Sequence, residues 1–315
     1  MEITKDYDVI IVGGGPAGLT AGLYCKRAVL NTVLFEKGLI GGQIAISKDV
    51  ENYPGVEGIT GFDLAEKMLH HAQSFGLNII QQEVAEVIAG PDNHSVRLAN
   101  GDMLRTRALI LAAGGSVRKL GIPGEAEYVG SGVSYCATCD GFFFRDKTTV
   151  VVGGGDTAVE EALYLSRLAK KVYLVHRKKE LRASKLLQNR LSETQIKVIR
   201  NTIITEIRGD GHVVTAVALE NIETNKKREL PTDGVFIFIG YLPNNQLIPP
   251  GVRMNEQGFV ITDDACETNI PGIFAVGDLR QKFANQIVVA AADGCIAALA
   301  AARYIEMRKA EATSP

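Results

Sequence analysis

The sequence carries no excess of charge of either sign. Its 315 residues hold 34 Lys and Arg against 36 Asp and Glu, a net charge of −2. The basic footprint of a nucleic-acid or anionic-lipid binder is therefore missing. Low-complexity tracts are missing too, and 46% of the residues are apolar, so a disordered chain is excluded. Tryptophan is absent. The N-terminal stretch of residues 1–8 is acidic and has no apolar core, unlike a secretory signal. The longest apolar run, residues 287–302, is short for a membrane span and is broken by Asp293 and Gly294, which predicts a buried helix. Five cysteines are too few, and of the wrong parity, for a disulfide scaffold. These absences predict a soluble cytoplasmic protein with no membrane and no nucleic-acid partner. Its length suits two domains.

What the chain has in abundance is glycine, 33 residues, much of it in short clusters. Two of these clusters belong to an internal repeat. Residues 8–18, with Gly13, Gly14, Gly15, Pro16, Ala17 and Gly18, resemble residues 149–158, with Gly153, Gly154, Gly155, Asp156, Thr157 and Ala158. At the offset that superposes Gly13 on Gly153, Leu34-Phe35-Glu36 falls on Leu174-Val175-His176. Each copy reads as strand, glycine turn, helix and second strand. In such a unit the first glycine makes the turn and the second admits a pyrophosphate, while the third lets helix pack on strand. The helix N-terminus then holds the phosphate charge. The fold class expected is α/β, with two Rossmann-like dinucleotide-binding domains.

The copies differ where their second strands end. Glu36 can accept the two hydroxyls of an adenosine ribose, which suits FAD. His176, Arg177, Lys178 and Arg182 can hold a 2′-phosphate, which suits NADPH. Residues 109–115 form a strand leading into Ala112 and Gly114, and residues 268–278 form another that closes on Gly277-Asp278, whose carboxylate can meet a ribityl chain. A closing helix from Ile287 to about Glu306 would aim its N-terminus at the flavin. The C-terminal segment thus returns to the first domain, and the second domain is an insertion. The expected boundaries are 1–116 with 247–315 for FAD and 117–246 for NADPH, with turns at 119–121 and 243–246.

Cys136-Ala-Thr-Cys139-Asp140 is the single CxxC. As a zinc site it would be half a ligand set, and no metal site is expected, because Cys25, Cys266 and Cys295 are scattered. As a redox pair, two intervening residues permit a reducible disulfide, and Asp140 can shuttle the proton that thiolate exchange requires. A structural pair of thiols is the third reading. Cys25, Cys266 and Cys295 fall in helix- or strand-like segments, and Cys25 and Cys295 read as small core residues.

Taken together, the segments 13–18, 41–43, 51–55, 136–141, 153–158, the His176 cluster and 277–278 resemble the low-molecular-weight thioredoxin reductases of bacteria and archaea, over essentially the whole length. The resemblance implies that Glu36, Gly42, Gln43, Asn52, Asp278, Gln286 and Ile287 line FAD, with Lys37, Gly41, Ala112, Gly114 and Asn285 beside them. It also implies that Cys139 faces the isoalloxazine, that Cys136 attacks the substrate disulfide, and that Asp140 is the acid–base. A homodimer, a rotating NADPH domain and a thioredoxin or thioredoxin-like partner follow from the same likeness. Two positions depart from the family pattern: Lys178 stands where a second arginine is usual, and Asn285 where an arginine precedes the glutamine. Lysine keeps the charge and loses the bidentate fork. The competing functions are the same chemistry with NADH or another reductant, a ferredoxin or flavodoxin reductase on this scaffold, and a flavin-binding interaction module with a structural CxxC.

Overall fold

The computed structural model describes residues 5–47 and 50–313, so part of the N-terminal stretch lies outside it. The chain forms two compact units. One takes the chain up to Ser116 and again from Leu242, and the other is Val117–Tyr241. The return crossing thus falls a few residues before the position expected from the sequence.

In the first unit the strands are β1 (Asp6–Val12), β2 (Thr32–Glu36), β3 (Asn78–Gln81), β4 (Val84–Ile88), β5 (His94–Leu98), β6 (Met103–Leu111) and β17 (Ile273–Ala275). The helices are α1 (Pro16–Arg27), α2 (Gly61–Ser74) and α6 (Ile287–Thr313). The sheet order is β3-β2-β1-β6-β5-β4, with β17 also on β6. Strands β1, β2, β3, β6 and β17 run parallel, whereas β4 and β5 are antiparallel additions. Nine-residue β6 has room for both partners on one edge: its start pairs with β5 and its end, Leu109–Leu111, with β17.

Alternation along β1 divides the core. Val9 and Ile11 bury against α1 and α6, alongside Leu19, Ala21, Ala297 and Ala301. Ile10 and Val12 bury on the opposite face with Phe35, Leu109 and Leu279. Period-two patterning with apolar residues on both faces is what a covered parallel strand requires. Helix α6 extends beyond the expected Glu306. Its small residues Ala290, Ala297, Ala298 and Ala301 are buried, but Val288, Ile296, Leu299 and Met307 are exposed. The apolar run is therefore buried along one face only, with a second apolar face left outward. By length and composition this helix would also pass for a membrane span, although a third of its apolar window is buried inside the unit.

The second unit repeats the plan. Strands β8 (Val133–Ser134), β9 (Thr148–Gly153), β10 (Lys171–Val175), β11 (Lys197–Ile199) and β15 (Gly234–Phe238) form a parallel sheet in the order β11-β10-β9-β15-β8. Strands β12 (Thr202–Gly209), β13 (Val214–Asn221) and β14 (Lys227–Pro231) make an antiparallel meander. Val151 of β9 packs with Ala158, Ala162, Leu165 and Leu187, on the side of helices α4 (Asp156–Leu165) and α5 (Lys185–Ser192). Val150 and Val152 pack with Ile204, Val217 and Leu219 of the meander. The short helix α3 (Ala137–Asp140) lies in this unit, and strands β7 (Gly115–Val117) and β16 (Tyr241–Pro243) sit at the two crossings.

In both units the order of the strands reverses between the strand that leads into the glycine turn and its later neighbour, β1 and β6 in one and β9 and β15 in the other. Nucleotide crevices form beyond the carboxyl ends of strands at such a reversal. The glycine turns sit there. A Cβ on Gly18 would lie 1.9 Å from the Gly13 carbonyl oxygen, so this helix can approach the turn only as glycine. We expect Gly18→Ala to destabilise the first unit by about 1–3 kcal/mol through overpacking. The urea midpoint of the purified protein measures it, and an unchanged midpoint would refute the close-packing role.

Candidate active site

The first glycine loop is built from three positions with different constraints. Gly13 has φ +112° and donates its N–H to the Phe35 carbonyl at 2.8 Å. A Cβ there would strike the Ala112 carbonyl oxygen at 2.3 Å. Gly15 caps α1 in an extended conformation, and a Cβ on it would meet nothing within 4 Å. Gly13 is thus demanded by the protein itself, whereas Gly15 faces a cradle open to a ligand. Glu36 ties the loop together, because its two oxygens accept the N–H groups of Gly14 and Gly38, each at 2.7 Å. Each oxygen keeps a second lone pair for a ribose hydroxyl. Gly41, at φ +99°, donates to the Gly14 carbonyl at 2.8 Å, and a Cβ on the following Gly42 would lie 3.5 Å from the Gly15 Cα.

Other predicted residues of the first site belong to the same unit. Lys37 and Gln43 are exposed, Lys37 pairing with Glu83 at 3.4 Å. Asn52 donates to Gln286 at 3.3 Å, so two distant predicted positions meet. Asn285 is exposed just ahead of Ile287, the first residue of α6. Gly114, at φ +64°, faces open space. Asp278 pairs with Lys282 at 3.1 Å, and Lys282 reaches Asp293 at 3.3 Å. Asp293 also pairs with Arg280 at 2.9 Å and accepts the Gly277 N–H at 3.0 Å. Lys282 and Asp293 have side chains only 6% exposed, so this is a buried charge network holding Asp278. The sequence reading passed over Lys282 and took Asp293 only as a break in the apolar run. Their signals were an i,i+4 spacing from Asp278 and an acid inside an apolar helix.

The second loop follows the same rule with different neighbours. Gly153 has φ +155°, and a Cβ on it would meet the Phe238 carbonyl at 2.4 Å, whereas Gly155 is open like Gly15. A Cβ on Gly154 would lie 2.2 Å from Nδ1 of His176, so the imidazole occupies the space beneath the loop. His176 is buried, with Nε2 at 3.1 Å from the Glu180 carbonyl. Burial first, and then the charges of Arg182 and Arg177, push its pKa below the usual histidine value. Its ring is packed beneath the loop, whereas Arg177, Lys178 and Arg182 of the same cluster are exposed. The Gly154 carbonyl accepts the N–H groups of Arg182 and Ala183, and Asp156 accepts that of Ser184 at 2.6 Å. Thr157 is exposed on the first turn of α4.

Cys136 and Cys139 form a disulfide with a Cα–Cα distance of 5.3 Å, which settles the CxxC as a sulfur–sulfur pair. Cys136 caps α3. Its Sγ accepts the Cys139 N–H at 3.2 Å and lies 3.4 Å from the Thr138 hydroxyl. Asp140 accepts a hydrogen bond from Ser134 at 2.5 Å, and Ser134 also accepts the Cys136 N–H at 3.1 Å. Ser134 escaped the sequence reading, for nothing marks a serine on a two-residue strand. Glu161 on α4 accepts the Ala137 N–H, and burial, reinforced by Glu160, pushes its carboxyl pKa up. Of the remaining thiols, Cys25 is buried in α1 and Cys295 is half-buried in α6. Cys266 lies in neither helix nor strand: it is buried in a turn at φ +62°, against the expectation.

The model of the pyridine nucleotide-disulphide oxidoreductase family matches residues 7–294. A thioredoxin reductase of Bacillus subtilis is 47% identical over 97% of this chain and 97% of its own length. One from Listeria innocua is 46% identical over 97% and 96%. The crystal structure of thioredoxin reductase from Streptococcus pyogenes superposes with a TM-score of 0.94 at 42% identity, covering 97% of this chain and all of that one. With a CxxC disulfide inside the second unit and relatives of this closeness along its whole length, the chain belongs to the pyridine nucleotide-disulphide oxidoreductase flavoenzymes, as a member of the thioredoxin reductase family.

Proposed function

We propose that the chain carries electrons from NADPH through FAD to the Cys136–Cys139 disulfide and on to the disulfide of a thioredoxin or a thioredoxin-like protein. The observation that carries this reading is the Cys136–Cys139 bond itself, in the unit that holds the second nucleotide fold. When bound, the flavin supplies two-electron transfer between nicotinamide and sulfur. The open faces of Gly15, Gly114 and Gly155 support the fit of two dinucleotides, since each leaves room for a ligand where a side chain would fill it.

The chain's own groups divide the remaining work. Two electrons entering the disulfide break its S–S bond and leave two sulfurs sharing one excess charge and one proton. Cys136 Sγ accepts a backbone N–H at the helix cap, a contact that favours negative charge on that sulfur once the bond is broken. It attacks one sulfur of the partner's disulfide, forming a mixed disulfide and expelling the partner's first thiolate. Cys139 Sγ then attacks Cys136, which re-forms the original bond and expels the second thiolate. Asp140 holds the proton while the sulfurs exchange and passes it to a departing thiolate. The sum is one donor hydride and one proton converted into two partner thiols.

Substitution separates the two sulfurs. Cys136→Ser is expected to leave Cys139 as a thiolate against the flavin, with a long-wavelength charge-transfer absorbance, and Cys139→Ser to lack that band. Both should lose thioredoxin reduction while the donor still reduces the flavin. A band found only in Cys139→Ser would exchange the roles.

NADPH as donor rests on Arg177, Lys178 and Arg182, exposed where the first unit carries the carboxylate of Glu36. The backbone bonds of Arg182 and Ala183 to Gly154 tie this cluster to the phosphate loop. A charge-assisted contact contributes about 1.5–3 kcal/mol, so Arg177→Ala should lower kcat/KM for NADPH roughly ten- to a hundredfold and leave NADH use unchanged. A wild-type preference for NADH would refute the donor assignment and leave the dithiol chemistry standing.

A homodimer is supported by the outward apolar face of α6, with Val288, Ile296, Leu299 and Met307 at helical spacing. Sedimentation equilibrium at micromolar concentration should return twice the chain mass, and a monomer mass would end this assignment. The buried free thiols of Cys25 and Cys266 support a reducing, cytoplasmic setting.

A further inference from the structure

Next to the disulfide, the polar contacts converge on one buried hydroxyl. Ser134 is 4% exposed and ends β8, whose pairing with Phe236 of β15 fixes its backbone. Its Oγ has three neighbours in the disulfide loop: Asp140 Oδ2 at 2.5 Å, the Cys136 N–H at 3.1 Å and the Cys136 carbonyl at 3.2 Å. A hydroxyl carries a single proton and two lone pairs, so it cannot donate to the carboxylate and to the carbonyl at once.

We propose that Ser134 is the positioning residue of the proton step, a hydroxyl rotor that holds Asp140 in both of its protonation states. With Asp140 ionised, Ser134 donates to Oδ2, the shorter and charge-assisted of its two possible bonds. With Asp140 protonated, the carboxyl donates to Ser134 Oγ, and the serine proton turns to the Cys136 carbonyl. The Cys136 N–H stays on a serine lone pair throughout. The proton that Asp140 takes up or gives away therefore moves without the carboxyl leaving its place beside the cysteines, and the loop that carries Cys136 feels the change through its own peptide. The inference rests on Asp140 being the acid–base.

A bond to the charged form favours that form, so removing it makes the carboxylate harder to ionise. The other acidic, phenolic, thiol or charged groups near this corner are Cys136 and Cys139 themselves and Glu161 and Tyr164 of α4, with Arg145 following the 3-10 turn Gly141–Phe144. A pH profile must be assigned against them, and a double variant does so.

The test is the pH dependence of kcat for thioredoxin reduction in the FAD-loaded enzyme, with the rate of flavin reduction by the donor as a second readout. Ser134→Ala is expected to lower kcat about tenfold and to move the acid limb upward by about one pH unit, while flavin reduction keeps its rate. Ser134→Thr, which keeps the hydroxyl, is expected to restore both. In Asp140→Asn, the further change Ser134→Ala is expected to do nothing. If Ser134→Ala lowers kcat and leaves the limb in place, or if it is additive with Asp140→Asn, the rotor is refuted and the acid–base reading survives. If Asp140→Asn alone turns over like the wild type, the acid–base reading fails first.

Discussion

A backbone carbonyl and a helix occupy nearly the same space at the first turn of each unit, and the architecture depends on how that crowding is relieved. At Gly13 and Gly18 the relief is the loss of two side chains, one beside the Ala112 carbonyl and one beside the Gly13 carbonyl. In the second unit Gly153 clears the Phe238 carbonyl in the same manner, but the third position is Ala158, whose methyl sits 2.5 Å from where a Gly153 side chain would begin. One methyl is tolerated there because the turn glycine has none. Only with the helix this close does its N-terminus, capped by Gly15 or Gly155, point at the mouth of the sheet.

Once that turn is fixed, the middle glycine decides how the loop is held from below. Gly14 gives its N–H to Glu36, and Gly154 leaves room for the ring of His176. The two residues occupy equivalent positions at the ends of β2 and β10, yet one binds the loop through its acid oxygens and the other fills the space beneath it with an aromatic ring. Their difference therefore changes the sign of the site mainly by deletion. The second loop lacks the carboxylate, and its positive charge comes from Arg177, Lys178 and Arg182 outside the core.

This is also where reading the sequence succeeded and where it stopped. Strand–turn–helix units, their repetition and the CxxC are local patterns, since turn geometry and cap chemistry act between residues close in the chain. Placing Glu36 at the end of its strand needed only the spacing. His176 is expected from the sequence to help hold a 2′-phosphate, but its burial depends on the Gly154 backbone beneath which it packs, and no local pattern encodes that. Cys266 is a similar case. A turn at φ +62° carries no signature in a cysteine, and what makes the position tenable is the packing against Arg280 and Asp293. Helix α6 was recognised, but its outward apolar face reads from sequence just like its inward one.

The two units also keep their charge in opposite ways. Around Asp278, four ionised groups are mutually compensated below the surface: Lys282 bridges Asp278 and Asp293, and Arg280 completes the set. Removing one partner from such a network leaves an uncompensated buried charge, which costs far more than a surface pair contributes. A rigid, internally neutral cluster can aim the Asp278 carboxylate without altering the net charge of its surroundings. In the second unit Arg177, Lys178 and Arg182 are exposed to water, and Arg182 is attached to the loop through its backbone N–H to the Gly154 carbonyl. A cofactor that remains in place through turnover calls for the first arrangement. A nucleotide that must arrive and leave in every cycle calls for the second, because exposed charges attract a phosphate quickly and release it with little reorganisation.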